Sequence, residues 1–330
     1  MKTLFIDRKH AELEIDRGRL VIRTGAQRPH TSIPTQQVDM LVISADIHFS
    51  SSLLHQLTQA NITAVFLNPR DASASTLTNG MMHNCAERRL WQYGAIANPA
   101  SRLALAKALM QQKLRSQQGM LLRALRTRPD HRHTLLTAAQ RIAQVTAKTQ
   151  TADSIATLRG LEGAAAAAYF EAYQTLFAPS LGFHNRNRRP PQDPVNVVLS
   201  LTYSLLHAEA VRTLFATGFD PLLGIYHDTT YSRESLACDL VELFRSHAER
   251  WIWRLFAEEV LCIDHFSFSS NDHERPCILG KRGRERYYTH YSGIACAWRR
   301  LMRRTSRHWL AKLRAEVPLH NRLQPQGNTP

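Results

Sequence analysis

A chain of 330 residues is long enough for one large globular domain or two ordinary ones. Its 44% hydrophobic and 21% charged residues are typical of a globular protein and argue against a disordered chain. The net charge of +15 and the isoelectric point near 10.1 favour a polyanionic partner, most simply nucleic acid. A ribosome-associated or merely basic enzyme is the alternative.

The cysteines and the N-terminus narrow the class further. The five cysteines include no CxxC pair, so neither a zinc knuckle nor a disulfide framework is predicted, and scattered thiols suit a reducing compartment. The N-terminal MKTLFIDRKH lacks the apolar segment of a signal peptide, and no apolar run reaches the roughly 18 residues of a membrane span. We therefore expect a cytoplasmic protein without a membrane partner.

The first 90 residues predict a small strand-rich domain. TLFID, AELEID, RLVIRT, DMLVIS and ITAVFLN are short runs of strand-forming residues, and a turn at Asp16-Arg17-Gly18-Arg19 would join two of them as a hairpin. SSLLHQLTQAN is typical of one short helix with Ser50 or Ser51 as its cap. The loop DASASTLTNG that follows contains few core-forming residues.

From about Glu87 onward the apolar residues recur at helical spacing. Helices are predicted up to a break at Pro129, again over LLTAAQRIAQVTAKTQ, and over 157–177, 195–217 and 235–261. The fold class is therefore α+β: a β-rich domain at 1–90, a larger all-α domain at 91–318, and a disordered tail at 319–330.

The last predicted helix has an apolar face and a basic face. The apolar face is predicted to contain Trp298, Leu301, Met302, Thr305, Trp309 and Leu313. The remaining positions are rich in cations: Arg299, Arg300, Arg303, Arg304, Arg307 and Lys312. These cations are candidates for phosphate contacts, and a solvated surface is an equal alternative.

Candidate metal ligands occur in three segments. Glu162 lies among small residues in LRGLEGAAAAAYFEAY, His227 ends LLGIYH, and Asp239 and Glu242 are three apart in SLACDLVELFR, so they share a helix face. Each has an ordinary explanation: a glutamate near a helix start, a satisfied histidine, or an ion pair with Arg245. Together, a carboxylate, an imidazole and a second acidic pair suit Mn²⁺ or Mg²⁺, whereas zinc is less favoured without thiolates.

A cationic, proline-rich run lies between the first two of these segments. In FHNRNRRPPQDPVN the arginines can bind phosphate through two donors each, and the prolines stiffen the segment. Asp193 and Pro194 are the cap and first turn of the helix that follows. The candidates for DNA contact here and near the acidic pair are Arg186, Arg188, Arg189, Asn196, Tyr203 and Arg245.

These segments, in this order, resemble the CRISPR-associated adaptation integrase, the universal spacer-acquisition protein family. The resemblance covers LRGLEGAAAAAYFEAY, FHNRNRRPPQDPVNVVLSLTYSLLHAEA, GIYHD and SLACDLVELFR, and upstream KLRSQQGMLLR is similar to the family's helical Lys-and-Gln segment. The chain departs from the family where Ser246 replaces a common proline, in the less glycine-rich loop after His227, and at DASASTLTNGMMHN.

The resemblance implies a metal-dependent DNA endonuclease and integrase that joins spacers to the CRISPR array by attack of a 3′-hydroxyl on a phosphodiester, without ATP. It implies that Glu162, His227 and Glu242 are the catalytic metal ligands, with Asp239 close by. It also implies a homodimer, double-stranded DNA and a small ferredoxin-like partner, while association with a reverse transcriptase stays open. The other classes considered are a non-catalytic DNA-binding scaffold and an RNA-processing metallonuclease.

Overall fold

The computed structural model describes residues 2–24, 31–67, 76–78, 85–187, 190–229, 233–268 and 276–316. The N-terminal part contains two four-stranded sheets. The strands are β1 (Lys2–Ile6), β2 (Glu12–Asp16), β3 (Arg19–Arg23), β4 (Thr31–Pro34), β5 (Val38–Ile43), β6 (His48–Phe49), β7 (Thr63–Phe66) and β8 (Thr76–Thr78), with helix α1 (Ser51–Gln59) before β7. One sheet has the order β1-β5-β7-β8 and the other β4-β3-β2-β6. The predicted strand-rich start is therefore correct.

The predicted hairpin joins β2 to β3. The two strands pair antiparallel, with Asp16 opposite Arg19. Both residues of the connecting turn have positive φ, 45° at Arg17 and 75° at Gly18. That backbone twist matches the right-handed twist of paired strands, and glycine adopts it without steric cost.

Strand β5 links the two halves of the protein because all six of its residues are buried. Leu41 and Ile43 pack into a small core between the sheets and α1. Met40 and Val42, on the opposite face, belong to the large core of the helical part. A parallel strand that is covered on both faces forms a continuous apolar run, as VDMLVI nearly does. The sheet containing β5 therefore serves both cores.

The rest of the described chain is mainly helical. Its helices are α2 (Ala86–Ala97), α3 (Pro99–Ala124), α4 (Arg132–Lys148), α5 (Ile155–Gln174), α6 (Pro194–Thr217), α7 (Ser235–Glu242), α8 (Arg245–Ala257) and α9 (Lys281–Glu316). A two-stranded antiparallel sheet, β9 (Phe266–Phe268) and β10 (Cys277–Leu279), precedes α9. The predicted α+β fold class is confirmed.

Helix α6 forms the centre of the helical part. Asp193 caps it by accepting the backbone N–H of Asn196 at 2.8 Å, and Pro194 occupies its first turn, as the sequence predicts. Fifteen of its residues are buried, so it is covered on all sides rather than on one face. Helix α7, which carries two of the candidate ligands, packs against it, as do α8 and α9.

One helix boundary was predicted wrongly. The sequence favours one helix over 235–261, but α7 ends at Glu242 and α8 begins at Arg245. Backbone hydrogen bonds from Leu243 to Leu240 and from Phe244 to Val241 tighten the chain between the two helices. No glycine or proline marks this break and apolar residues continue across it, so periodicity alone could not locate it.

The apolar face of α9 agrees with the prediction at Trp298, Met302 and Leu313, which are buried, and departs from it at two positions. Leu301 is 43% exposed, whereas Arg299 is 5% exposed. The Arg299 guanidinium lies 2.7 Å from Asp39 of β5 and 3.0 Å from Glu209 of α6. Arg299 therefore joins the strand-rich and helical parts and does not belong to the solvent-facing cations. In the described ranges, no helix has the length and apolar character needed to cross a membrane.

Candidate active site

Four segments that are distant in the chain meet in the helical part. Lys113 comes from α3, Glu162 from α5, His227 from the segment between α6 and α7, and Asp239 and Glu242 from α7. The helices place these side chains on facing surfaces. Three of the segments are those with predicted ligands, and α3 adds a cation.

Glu162 and Glu242 face each other across the ammonium group of Lys113. Nζ of Lys113 donates to Oε1 of Glu162 at 2.5 Å and lies 2.6 Å from Oε2 of Glu242. The hydroxyl of Tyr226 donates to Oε2 of Glu162 at 2.8 Å, and Arg245 lies 3.1 Å from Oε1 of Glu242. The Lys113 and Glu242 side chains are each 4% exposed, and that of Glu162 is 26% exposed. The two carboxylates therefore enclose one positive centre at the edge of the core.

These contacts set the charge states. Burial alone would raise the pKa of Glu242, but the positive charges of Arg245 and Lys113 outweigh it and lower that pKa to about 2. Burial likewise opposes ionisation of Glu162, and Lys113 lowers its pKa below the ordinary value. Burial would lower the pKa of Lys113, whereas Glu242 and Glu162 raise it. Both carboxylates and the ammonium are therefore charged at neutral pH.

His227 is oriented by Asp239, which is 0% exposed. Nδ1 of His227 donates to Oδ1 of Asp239 at 2.7 Å, and the His227 backbone N–H reaches the same oxygen at 3.1 Å. The other oxygen accepts the backbone N–H groups of Ile225 at 2.6 Å and Tyr226 at 3.0 Å. A proton on Nδ1 leaves the imidazole lone pair on Nε2, the atom that can bind a metal. With both oxygens engaged, Asp239 has the geometry of an orienting group.

The loop that carries His227 is fixed on both sides. At Gly224 an added Cβ would lie 2.5 Å from the carbonyl oxygen of His227, so only glycine permits this close turn. Asp228, directly after His227, pairs with Arg102 of α3 at 3.0 Å and with Arg159 of α5 at 2.6 Å. Two helices therefore hold the loop that positions the imidazole.

A second layer of polar groups supports Glu242. The Arg245 guanidinium lies over the ring of Tyr203, 4.9 Å from its centroid. The Tyr203 hydroxyl donates to Glu249 at 2.5 Å, and the Tyr169 hydroxyl donates to its other oxygen at 2.6 Å. Burial raises the pKa of Glu249, against these hydrogen bonds. Arg245 and Tyr203, predicted as DNA contacts, thus have internal partners next to the acidic pair.

In the cationic run, two of the residues predicted to contact DNA, Arg186 and Asn196, have partners within the protein. Arg186 donates to Oδ1 of Asn196 at 2.7 Å and to Ser200 at 3.1 Å, so it fastens the run to α6. Asn196 is 0% exposed and also donates to Asp193. It therefore has no exposed group with which to make the predicted DNA contact. Arg188 and Arg189 lie outside the described residues.

Ser246, which stands where the related family commonly has proline, has its own partner. Its hydroxyl lies 2.5 Å from that of Ser116 on α3, and Ser246 is 3% exposed. The hydrogen bond ties the first turn of α8 to the helix that carries Lys113. The departure is therefore accommodated by a contact between helices.

The residue that sequence reasoning missed is Lys113. The sequence contains it in KLRSQQGMLLR, the segment similar to the family's Lys-and-Gln helix, and at helical spacing with the apolar Met110 and Leu114, but no site role was predicted for it. A lysine at such a position was the available signal, because lysine is almost never fully buried without a partner. Tyr226 carried no comparable signal.

The donor set fits a divalent cation by its chemistry. Within the described residues, no three histidine, cysteine, aspartate or glutamate side chains are close enough to hold a metal ion as they stand. Nevertheless, two carboxylates and a neutral imidazole nitrogen are ligands that Mn²⁺ and Mg²⁺ accept. Oε2 of Glu242 is also a buried oxygen that accepts no hydrogen bond, although the Lys113 ammonium lies beside it. A positive charge is already favoured at this position.

The fold and site define a two-part α+β protein with a charged carboxylate–histidine cluster in its helical part. The family described as CRISPR associated protein Cas1 matches residues 4–293. The chain is 37% identical over 297 residues to the CRISPR-associated endonuclease Cas1 1 of Thermodesulfovibrio yellowstonii, which covers 88% of this chain and 90% of that protein. The chain belongs to the Cas1 family, which confirms the resemblance.

Solved structures agree on the fold. A Cas1 protein from Thermotoga maritima matches with a TM-score of 0.81 at 20% identity, covering 96% of this chain and 98% of that one. A casposase bound to its integration product also has a TM-score of 0.81 at 20% identity, with 96% and 92% covered. At such identities the likeness shows the fold alone.

Proposed function

We propose that this protein is a metal-dependent DNA endonuclease and integrase of CRISPR adaptation that joins captured DNA fragments to the CRISPR array. The observation that carries the proposal is the pairing of Glu162 and Glu242 around one cationic position, with His227 held against the same helix α7 by Asp239, in a Cas1 family member. A relative named as an endonuclease and a casposase bound to an integration product support the same chemistry here.

The proposed ligands of Mn²⁺ or Mg²⁺ are Glu162, His227 and Glu242. When bound, the cation would polarise the phosphodiester and stabilise charge on the attacking and leaving oxygens. Asp239 keeps the lone pair of His227 on Nε2, so it acts as the supporting carboxylate rather than a direct ligand. The Tyr226 hydroxyl donates to the second oxygen of Glu162 and so holds that carboxylate in position.

The joining step is a transesterification. The 3′-hydroxyl oxygen of the fragment forms a new bond to phosphorus, the bond from phosphorus to the leaving 3′-oxygen breaks, and the hydroxyl proton ends on the leaving oxygen. One phosphodiester replaces another, so the step needs no ATP. The chain's part is to position the two oxygens and supply positive charge.

The basic surface provides attraction for DNA. The net charge of +15 favours binding to any phosphate backbone, and the binding weakens as salt rises. Of the cations predicted on the basic face of α9, those that are exposed and could contribute are Arg300, Arg303, Arg304, Arg307 and Lys312. Arg299 is excluded from this group by its burial.

The proposed assembly is a homodimer that binds a small ferredoxin-like adaptation protein. The Cas6-RT-Cas1–Cas2 complex contains a chain with this fold, at a TM-score of 0.79 and 19% identity, which supports assembly with a second adaptation protein. A reverse transcriptase is a further component to test in reconstitution. Co-purification and mass measurement with each candidate would report the stoichiometry.

The test is strand joining in Mn²⁺ between labelled duplex oligonucleotides and a plasmid carrying the repeat, with the small partner present. Glu162→Gln and His227→Ala should each lower joining by about 100-fold or more, since loss of a ligand should exceed the 10–100-fold effect of supporting groups. Glu258→Gln is the matched control, because that carboxylate is exposed and paired with Arg254.

Two results would replace the proposal. If the wild type joins DNA no better than the Glu162→Gln and His227→Ala variants, the protein is a DNA-binding scaffold. If it cleaves single-stranded RNA but never joins DNA ends, it is an RNA-processing nuclease.

A further inference from the structure

Lys113 is a buried cation at the position where a metal would be expected. Its side chain is 4% exposed, and its ammonium nitrogen lies 2.5 Å from Glu162 and 2.6 Å from Glu242. A buried lysine needs such partners, because an unpaired ammonium in the core is strongly unfavourable. The ammonium also stabilises both carboxylates, since each is a partly or fully buried negative charge.

The particular oxygens involved are informative. Oε2 of Glu162 already accepts from Tyr226, and Oε1 of Glu242 already pairs with Arg245. The oxygens that face Lys113 are the remaining one of each carboxylate, Oε1 of Glu162 and Oε2 of Glu242. A divalent cation held by both carboxylates would need these two oxygens. A metal and the ammonium therefore compete for the same atoms.

We propose that Lys113 is a built-in counter-cation of the acidic pair, which gives up these two oxygens when a divalent cation binds. The inference rests on the proposed metal-dependent function and adds how metal affinity is set. The ammonium lets the acidic site fold without metal, and it makes metal binding an exchange of one cation for another. Consistent with this, the described residues hold no preformed group of three ligands.

Metal binds only to those molecules in which Lys113 has moved away from the two oxygens. The apparent affinity is therefore the intrinsic affinity multiplied by the fraction of such molecules. A minor state with a population of about 1–10% weakens the apparent affinity by roughly 10- to 100-fold. Without the ammonium, the two carboxylates repel each other in a poorly solvated site, and a divalent cation relieves that repulsion. A neutral side chain at this position should therefore destabilise the metal-free protein and strengthen metal binding.

The experiment measures Mn²⁺ binding by calorimetry and thermal unfolding with and without Mn²⁺, using the full chain. Lys113→Met should bind Mn²⁺ on the order of tenfold or more tightly than the wild type, melt lower without metal, and gain more in Tm when metal is added. Lys113→Gln should behave in the same way and serves if the methionine variant does not fold. Lys113→Arg keeps the charge and should gain no affinity.

Lys107→Met is the matched control on the same helix, because Lys107 donates to the backbone carbonyl of Gln150 and its charge acts on Asp153, rather than on Glu162 or Glu242. It should bind Mn²⁺ like the wild type. His227→Ala identifies the site, since it should abolish binding in each background.

The failures of the two proposals are distinguishable. If His227→Ala abolishes Mn²⁺ binding but both neutral Lys113 variants bind no more tightly than the wild type, the counter-cation role is wrong and the metal site stands. If neither the wild type nor the variants show saturable binding that depends on His227, the metal site and the exchange both fail.

Discussion

Replacing Asp239 by asparagine should damage both the stability of α7 and the proposed metal site. The Asp239 carboxylate is 0% exposed and accepts two hydrogen bonds at each oxygen: three from backbone N–H groups and one from the imidazole of His227. An asparagine has one acceptor oxygen, so its NH₂ group must face two donors in either orientation. Its shape is otherwise nearly unchanged.

The magnitude follows from those two lost bonds. Hydrogen bonds to charged groups contribute about 1.5–3 kcal/mol each, so Asp239→Asn should lower the free energy of unfolding by about 3–6 kcal/mol before relaxation. Where the NH₂ group faces Nδ1 of His227, the imidazole loses its orienting partner. Loss of such supporting groups costs roughly 10- to 100-fold in metal affinity or activity.

Urea unfolding measures the first effect, and Mn²⁺ calorimetry with strand joining measures the second. Asp130→Asn is the control, because Asp130 is exposed and pairs with Arg128, which is not a residue of the site. It should leave unfolding, Mn²⁺ affinity and joining unchanged. If Asp239→Asn unfolds at the wild-type urea concentration and keeps wild-type Mn²⁺ affinity, Asp239 does not hold His227 as the structure indicates.

Three further predictions concern the buried charges and the close turn. Arg299→Met should lower the free energy of unfolding by about 3–5 kcal/mol in urea, because it removes a buried partner from both Asp39 and Glu209 and leaves Asp39 paired with Arg212. The exposed ion pair lost in Arg254→Met should lower it by less than about 1 kcal/mol, and equal effects would contradict this. The pKa of Glu242 is lowered from 4.5 to about 2, so its ionised form stabilises the fold fully above about pH 4.5 and progressively less towards pH 2. The free energy of unfolding should therefore fall more steeply with acid in the wild type than in Glu242→Gln. Parallel curves would refute this prediction. Gly224→Ala should lower the free energy of unfolding by about 1–3 kcal/mol and weaken Mn²⁺ binding, since its Cβ would press on the carbonyl of the proposed histidine ligand. Gly163→Ala is the control: its Cβ would lie in open space, so neither quantity should change.

Much of the architecture could be predicted because its signals are local. The hairpin turn at Arg17 and Gly18 and the cap at Asp193 depend on neighbouring residues, and both are present in the structure. The order of the motifs likewise predicted the family. No local signal in the sequence marks the split between α7 and α8. Helix α7 is held instead by long-range contacts with the His227 loop and with α3.

The charged residues show the limit of sequence reasoning. An arginine on a basic helix and a lysine in an apolar pattern have the same local character whether they face solvent or a buried carboxylate. Arg299 meets Asp39 across 260 positions, and Lys113 meets Glu162 across 49. Separations of that size carry no periodicity that could reveal the pairing.

The sequence by itself therefore determined the family, the fold class and the set of side chains from which a metal site could be built. Only the tertiary structure decided their arrangement. It placed Asp239 behind His227, set Glu242 against Glu162, and put Lys113 between the two carboxylates. The physical reason is that burial and charge pairing depend on distances between helices, which the packing of α3, α5 and α7 sets.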